Sequence, residues 1–352
     1  MKPIDTKNIK QLLVRSTNWI GDAVMTTPAV RAIRKNFPHA RISMLVKPWV
    51  GPVFEHSPHI DDIIIYDAGA RHKGSAGKVR LARDLRAHGF DAAILLQNAF
   101  EAALITFFAG IPMRLGYSRD ARGALLTHSI PCTKAIRQVH QTEYYLNILS
   151  KAGLAANPGP LEITLGMEER DSALEILAEY GVGEDELLVG INPSATFGPA
   201  KQWFPERYAE LADKIYDTYR ARIVVFGGPG DSALGEKIIG RMQHPAINFC
   251  GKTTLGEAMA LIERCHLFVT NDSGLMHVGA ALNVPLIAIF GSTDFVATGP
   301  LGPKSRVVRT SMACSPCLKP ECPLGHLECM KQIDVNTVFT AAKEFLEADT
   351  PR

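Results

Sequence analysis

Residues 267–290, LFVTNDSGLMHVGAALNVPLIAIF, place two short apolar segments on either side of a segment with helical character. The segments 267–270 and 285–290 have the length and composition of buried strands, and 274–282 fits a helix between them. A strand, a helix and a second strand in this order predict two parallel strands joined by a helical crossover. This stretch therefore favours an α/β fold.

The same alternation of strands and helices runs through both halves of the chain. Strands are predicted at 11–16, 41–46, 62–66, 91–97, 187–192, 221–226, 247–250, 267–270, 285–290 and 305–309. Helices are predicted between them at 28–37, 205–219, 255–265 and 274–282. Two such series predict two Rossmann-like, doubly wound domains.

The predicted domain boundary lies in a segment rich in residues that interrupt helices and strands. Residues 155–160, AANPGP, suit a linker, and 167–180 then forms the first helix of the second domain. We therefore place the domains at 1–158 and 159–334. A last helix follows at 335–348, and its periodicity does not decide which domain it joins.

The composition is that of a folded globular protein, with 46% hydrophobic and 21% charged residues among 352. The N-terminal segment MKPIDTKNIKQLLVR lacks the apolar run of an export signal, and no stretch approaches the roughly 18 apolar residues of a membrane span. We therefore expect a cytoplasmic protein whose membrane contact is at most peripheral, and no nucleic-acid partner.

Basic residues are concentrated in the N-terminal half, although the formal net charge is only +2. They are Arg71, Lys73, Lys78, Arg80, Arg83, Arg86, Arg114, Arg119 and Arg122. Such a cluster attracts phosphate-rich partners or an anionic bilayer surface. A solvated helix face explains it equally well.

The first candidate site loop is 18–22, which follows the first strand. Gly21 permits a tight turn, and Asp22 would face the crevice at the carboxyl edge of the sheet, where it could accept a proton from a hydroxyl nucleophile. Asp22 could equally cap a helix. A single glycine does not make the G-x-G-x-x-G pattern, which disfavours a nicotinamide enzyme.

Two loops of the second half suit a phosphate. The loop 192–203 offers hydroxyls and Lys201 between two prolines, although a solvated surface turn is the alternative. In the loop 270–277, Asp272 or Ser273 could cap the following helix and leave backbone N–H groups for an anion. His277 lies one turn inside that helix, where a buried core histidine is also common.

Two further features allow more than one interpretation. The glycine-rich loop 227–231 permits close approach to a ligand, and Asp231 could bind ribose hydroxyls or simply form a turn. Four thiols in a C-x2-C-x4-C-x6-C arrangement could bind a structural zinc ion or remain reduced. They are Cys314, Cys317, Cys322 and Cys329, and His326 could replace one of them. This cluster is too closed to suggest a catalytic metal.

Three segments together resemble the lipopolysaccharide heptosyltransferases. They are NWIGDAVMTTPAVRAIRKNFP (18–38), FGPAKQWFPERYAELA (197–212) and TNDSGLMHVGAALNVPLIAIFGSTD (270–294), and FGPAK is most like heptosyltransferase II. The resemblance implies a glycosyltransferase B fold, in which two domains face a cleft. It further implies acceptor binding by the N-terminal domain, nucleotide-sugar binding by the C-terminal domain, and a last helix, 335–348, that joins the first domain.

The resemblance also implies roles for individual residues. Asp22 matches the catalytic base of the family. The donor side corresponds to Thr196, Lys201, Asp231, Thr253, Asp272, Ser273, Gly274 and His277. Arg80, Arg83 and Arg114 are plausible contacts of the acceptor, without a residue-by-residue match.

The implied reaction moves L-glycero-D-manno-heptose from ADP-heptose to heptose I of a lipid A–Kdo–heptose acceptor, with inversion, at the inner face of the inner membrane. The chain has no Asp-x-Asp motif, so no cofactor is expected in catalysis, and Lys201 with the helix start at 273–274 would stabilise the leaving diphosphate. A same-fold transferase of another sugar or acceptor, heptosyltransferase I or III included, and a non-catalytic nucleotide-sugar-binding protein are the alternatives.

Overall fold

The computed structural model describes residues 4–348, which form two compact units divided between residues 164 and 165. Each unit contains one six-stranded sheet, and every pair of neighbouring strands is parallel. The inner strands of each sheet are largely buried because helices cover parallel sheets on both faces. The predicted α/β class, with two doubly wound domains, is confirmed.

The first unit has the strand order β3-β2-β1-β4-β5-β6. Its strands are β1 (Gln11–Arg15), β2 (Arg41–Val46), β3 (Asp62–Ile65), β4 (Ala92–Leu95), β5 (Met113–Tyr117) and β6 (His128–Ile130). Its helices are α1 (Ile20–Met25), α2 (Thr27–Asn36), α3 (Gly74–Ala87), α4 (Phe100–Phe108) and α5 (Gln141–Lys151).

The second unit repeats this topology, with the order β12-β11-β10-β7-β8-β9. Its strands are β7 (Leu188–Asn192), β8 (Arg222–Val225), β9 (Ala246–Asn248), β10 (Leu267–Asn271), β11 (Leu286–Phe290) and β12 (Ser305–Arg309). Its helices are α6 (Met167–Glu179), α7 (Pro205–Tyr219), α8 (Ser232–Ile239), α9 (Leu255–Glu263), α10 (Gly274–Ala281), α11 (Phe295–Thr298), α12 (Glu328–Lys331) and α13 (Val335–Ala348).

The order of strands fixes where a ligand can bind in each unit. The chain order reverses between β1 and β4 in the first sheet and between β7 and β10 in the second. Loops that leave adjacent strands on opposite faces of a sheet open a crevice at the carboxyl ends of those strands. The candidate loops after β1, β7 and β10 all begin at these two positions.

The structure corrects the expected place of the last helix. α13 belongs to the second unit, where it packs on α7 and near β10, β11 and β12. Its buried residues Val338, Ala342 and Leu346 share one apolar core with Ile287 of β11. The division between the units falls six residues beyond the predicted boundary at 158/159.

The strands β5 and β6 were not predicted from the sequence, and neither were the helices α1, α3, α4, α5, α8, α11 and α12. The strand β5 contains Arg114 and Gly116, which interrupt its apolar pattern, and β6 has only three residues. The helix α1 is one and a half turns long and is followed directly by α2. No helix within residues 4–348 is both long and apolar enough to cross a membrane.

Candidate functional site

The loops predicted to bind a nucleotide sugar begin at one edge of the second sheet. They follow β7, β8, β9 and β10, four adjacent parallel strands whose carboxyl ends therefore lie side by side. Backbone N–H groups, hydroxyls and one lysine converge on the crevice between β7 and β10. Such a combination suits an anionic ligand.

Lys201 and Asp272 form an ion pair at this crevice. The ammonium group of Lys201 lies 2.7 Å from a carboxylate oxygen of Asp272, and both side chains are largely buried. The same ammonium group lies 5.2 Å from the centre of the Phe197 ring. The pair therefore holds the lysine of the β7 loop against the loop that follows β10.

Asn192, at the end of β7, connects this strand through its side chain to β10 and to the start of α10. Its amide donates to the hydroxyl of Ser273 at 2.6 Å and to that of Thr270 at 3.1 Å. Ser273 occupies the N-cap position of α10 but makes no side-chain cap. The predicted side-chain cap by Asp272 or Ser273 is thus not present, since both side chains bind elsewhere. The first-turn N–H groups of α10 are left without a side-chain acceptor from its N-cap.

Asn271 is a structural residue of this site that the sequence analysis did not identify. Its side-chain oxygen accepts hydrogen bonds from the backbone N–H of Trp203 and the hydroxyl of Tyr208, both at 3.0 Å. Its amide group donates to the carbonyl of Pro193 at 2.7 Å. Asn271 is fully buried and so fixes both ends of the β7 loop around Lys201.

The C-terminal segment supports the same loop from outside. Ala200 donates its N–H to the carbonyl of Pro320 at 3.0 Å. Gly198 has φ +152°, and a Cβ atom on it would lie 2.4 Å from that carbonyl oxygen, so only glycine fits. The indole of Trp203 donates to the carbonyl of Ile333 at 2.9 Å.

The remaining donor-side residues are less closely connected. Thr196 is exposed in the turn before Gly198, and Thr253 lies half-buried in the loop after β9. One oxygen of Asp231 accepts the N–H of Gly228 at 2.8 Å, so its carboxylate shapes the glycine-rich turn. His277 is buried within α10.

In the first unit, Asp22 lies in the first turn of α1, immediately after the β1 loop. The hydroxyl of Tyr145 donates to one of its carboxylate oxygens at 3.4 Å. Burial raises the pKa of Tyr145 well above its usual value, and the charge of Asp22 acts in the same direction. The phenol therefore stays protonated and holds the carboxylate in place.

The β1 loop is fixed by groups that the sequence analysis did not single out. Arg15 is buried and donates to the side-chain oxygen of Asn18 at 2.7 Å. The indole of Trp49 donates to the carbonyl of Asn18 at 2.8 Å. Lys47, buried after β2, lies 3.4 Å from the centre of the Tyr66 ring. Burial and, to a smaller extent, the charge of Arg15 lower the pKa of Lys47 to about 8.

Three basic residues were expected to contact the acceptor, and the contacts of one of them, Arg114, place it away from this loop. Arg80 and Arg83 are exposed on α3. Arg114 lies in β5, where its guanidinium group donates to the carbonyls of Leu125, at 2.7 Å, and Ile111. Because Ile111 precedes β5, the guanidinium group lies at the amino end of the sheet. The structure thus separates Arg114 from Asp22.

The four cysteines of the C-terminal segment lie near one another and form no disulfide. Burial raises the pKa of Cys329, and the nearby Cys317, Cys314 and Cys322 act in the same direction. A shared metal ion needs several ligand atoms close together. Among the described residues, however, none of these thiols belongs to a group of three or more possible metal ligands whose ligand atoms lie within 4.8 Å of one another. A structural zinc ion stays a prediction.

Comparisons with known proteins give the family and the fold of the chain. Residues 78–328 match glycosyltransferase family 9 (heptosyltransferase). Lipopolysaccharide heptosyltransferase 2 of Escherichia coli K12 is 32% identical over 310 residues, which cover 85% of this chain and 88% of that protein.

Two solved structures are similar over nearly their whole length. The ADP-heptose lipopolysaccharide heptosyltransferase II of E. coli has a TM-score of 0.82 at 29% identity, covering 96% of this chain and 99% of that one. A glycosyltransferase of family 9 from Veillonella parvula has a TM-score of 0.86 at 26% identity, covering 99% of both chains. Both matches span the two units and support the glycosyltransferase B fold.

Proposed function

The chain belongs to glycosyltransferase family 9, the heptosyltransferases, and we propose that it transfers a heptose from ADP-heptose to the first heptose of the lipopolysaccharide inner core. The observation that carries this proposal is the crevice between β7 and β10. There Lys201 faces the loop before the first turn of α10, and together they offer a cation and N–H donors to a diphosphate. The segment FGPAK, which is most like heptosyltransferase II, favours the second heptose transfer.

The proposed chemistry is a direct displacement at the anomeric carbon. Asp22 accepts the proton of an acceptor hydroxyl, whose oxygen forms the new bond to that carbon. The bond between the anomeric carbon and the diphosphate oxygen breaks with inversion, and ADP leaves with both bonding electrons. Tyr145 keeps the Asp22 carboxylate in position during this step.

The negative charge of the leaving ADP is stabilised by groups of this chain. Lys201 and the N–H groups at the start of α10 are fixed before the reaction, so they stabilise developing charge without reorganisation. The sequence has no Asp-x-Asp motif to hold a metal ion beside a diphosphate. We therefore expect EDTA to leave the rate unchanged, whereas a transferase that needs Mg²⁺ would stop.

The proposed acceptor is lipid-linked, with lipid A, Kdo and one heptose, so the enzyme would work at the cytoplasmic face of the inner membrane. The relatives named above support a lipopolysaccharide acceptor, because their names describe them as lipopolysaccharide heptosyltransferases. The donor is ADP-heptose, as the name of the E. coli structure states for that protein.

The test is release of ADP from ADP-heptose, measured by chromatography with and without an acceptor that ends in heptose I. We expect release only with the acceptor, and a product heavier by one heptose in mass spectrometry. Turnover with an acceptor that ends in Kdo instead would indicate the first heptose transfer. Tight binding of ADP-heptose with no turnover on any acceptor would favour a non-catalytic binding protein and overturn the proposal.

A further inference from the structure

The outer face of α4 is apolar. Phe100, Leu104, Phe107 and Phe108 follow the i, i+4, i+7, i+8 spacing of one helix face. The three phenylalanines are 43%, 45% and 52% exposed, and Leu104 is half-buried. The opposite face packs inside the unit through Ala102, Ala103, Ile105 and Thr106. When a helix is apolar on its outer face as well as its inner face, the outer face is typically covered by another molecule.

The basic helix α3 lies directly beside this aromatic face. The guanidinium group of Arg86 donates to the carbonyl of Phe108 at 2.5 Å, which joins the carboxyl ends of the two helices. Lys78 pairs with Glu101 at 2.6 Å near their amino ends. The two helices therefore run side by side in the same direction and present one continuous surface.

The charge of this surface is strongly positive. Residues 71–86 contain six lysines and arginines but one acid, Asp84, which pairs with Arg71 at 2.8 Å. Within residues 4–348, no carboxylate pairs with Lys73, Arg80 or Arg83. Val79 is exposed between them. Positive charge beside exposed aromatic rings complements an anionic lipid surface, whose headgroups bear phosphate and whose acyl region is apolar.

We propose that α3 and α4 form the membrane-docking surface of this enzyme, with an anionic bilayer as the partner. The phenylalanines of α4 enter the boundary between headgroups and acyl chains, and the arginines of α3 bind lipid phosphates. This inference rests on the proposed function, because a lipid-linked acceptor brings the enzyme to a membrane. A symmetric dimer through the same surface would set two basic helices against each other, and like charges at an interface repel.

The experiment is co-sedimentation of the full chain with vesicles of phosphatidylethanolamine containing phosphatidylglycerol. The wild type should bind, with affinity falling as salt is raised and lost on vesicles of phosphatidylcholine alone. Two double variants should each lower the affinity for these vesicles by at least about 10-fold. They are Phe107→Ser/Phe108→Ser and Arg80→Glu/Arg83→Glu. Met167→Ser, at an exposed apolar residue of the second unit, is the matched control and should bind like the wild type.

Thermal melting and size-exclusion chromatography show whether a variant has lost vesicle binding through unfolding or through a change of oligomeric state. All variants should melt near the wild-type temperature, since the replaced side chains are exposed. Wild-type vesicle binding by both double variants would overturn the proposal. So would a wild-type dimer that Phe107→Ser/Phe108→Ser converts to a monomer, because the surface would then join two copies of the chain.

A soluble acceptor without acyl chains separates this inference from the proposed function. Phe107→Ser/Phe108→Ser should release ADP at the wild-type rate with that acceptor and slowly with an acceptor embedded in vesicles. If no acceptor supports ADP release while vesicle binding still depends on α4, the proposed function fails and the docking surface stands. If ADP release is normal on both acceptors in the variant, the docking surface fails alone.

Discussion

The ammonium group of Lys201 lies 2.7 Å from a carboxylate oxygen of Asp272, and the two residues belong to loops that follow adjacent strands. Each side chain is largely buried, so each charge depends on the other for compensation. The pair thus joins the two loops and places a cation where the proposed donor diphosphate would bind. These two contributions can be separated by mutation.

Lys201→Met should weaken binding of ADP and also lower stability. It removes the cation that meets the diphosphate, and it leaves the buried Asp272 carboxylate without its partner, at a cost of about 1–3 kcal/mol. Isothermal titration with ADP and urea denaturation measure the two effects.

The double variant Lys201→Met/Asp272→Asn distinguishes them. It should regain most of the stability, because no unpaired charge remains, while ADP affinity stays low. If the double variant regained ADP affinity together with stability, Lys201 would have only a structural role.

Asp22→Ala should lower kcat by roughly 10²- to 10⁴-fold, the usual loss for a general base, while the affinity for ADP stays close to that of the wild type. Asp22→Asn keeps the shape and the acceptor for Tyr145 but cannot take the proton, so it should be as slow. Tyr145→Phe should reduce kcat far less. Single-turnover rates and ADP titrations check this, and loss of ADP binding in Asp22→Ala would instead make Asp22 structural.

Gly198→Ala should raise KM for the donor by about 10-fold or more, since a displacement of about 1 Å at a site is costly. The added Cβ atom would lie 2.4 Å from the carbonyl oxygen of Pro320, so the loop that carries Lys201 must shift. Gly183→Ala in the same unit meets only ordinary contacts at 3.9 Å and serves as the control. Equal KM values for the two variants would show that the loop tolerates the displacement.

Lys47→Met should stabilise the protein most at neutral pH. Burial and the charge of Arg15 lower the pKa of Lys47 to about 8, against about 10.4 in an unfolded chain. Between these values the unfolded state binds more protons, so wild-type stability rises with pH and the advantage of the variant shrinks. Melting curves from pH 7 to 10.5 test this, with the exposed Lys252→Met as the control. An advantage that grows with pH would contradict the prediction.

The sequence predicts much of the framework of the fold because most of its strands contain a short run of apolar residues. Residues 41–46 and 305–309 are strands with the predicted bounds, and α7 is the predicted helix 205–219. The strand β5 could not be predicted in the same way, because Arg114 and Gly116 interrupt its short apolar run. In the folded chain the guanidinium group of Arg114 donates hydrogen bonds to backbone carbonyls. The place of α13 depends on tertiary packing, which periodicity does not contain.

The sequence also predicts which loops form the site, but not what holds them. Lys201, Asp272 and Ser273 occur where patterns of strand and loop place them. Asn271 looks like one more polar residue at a strand end, and its three hydrogen bonds join residues more than 60 positions apart. Contacts over such separations appear only once the chain is folded.

The support of the Lys201 loop by Pro320 and Ile333 has a consequence for synthesis of the protein on the ribosome. Every strand of the second sheet precedes residue 310, so that sheet can form while the chain is still growing. The segment that fixes the loop leaves the ribosome only after the whole sheet. A nascent chain would therefore form its second sheet before it can fix the Lys201 loop, and premature termination shortly before residue 320 would remove both the support of this loop and the core residues of α13.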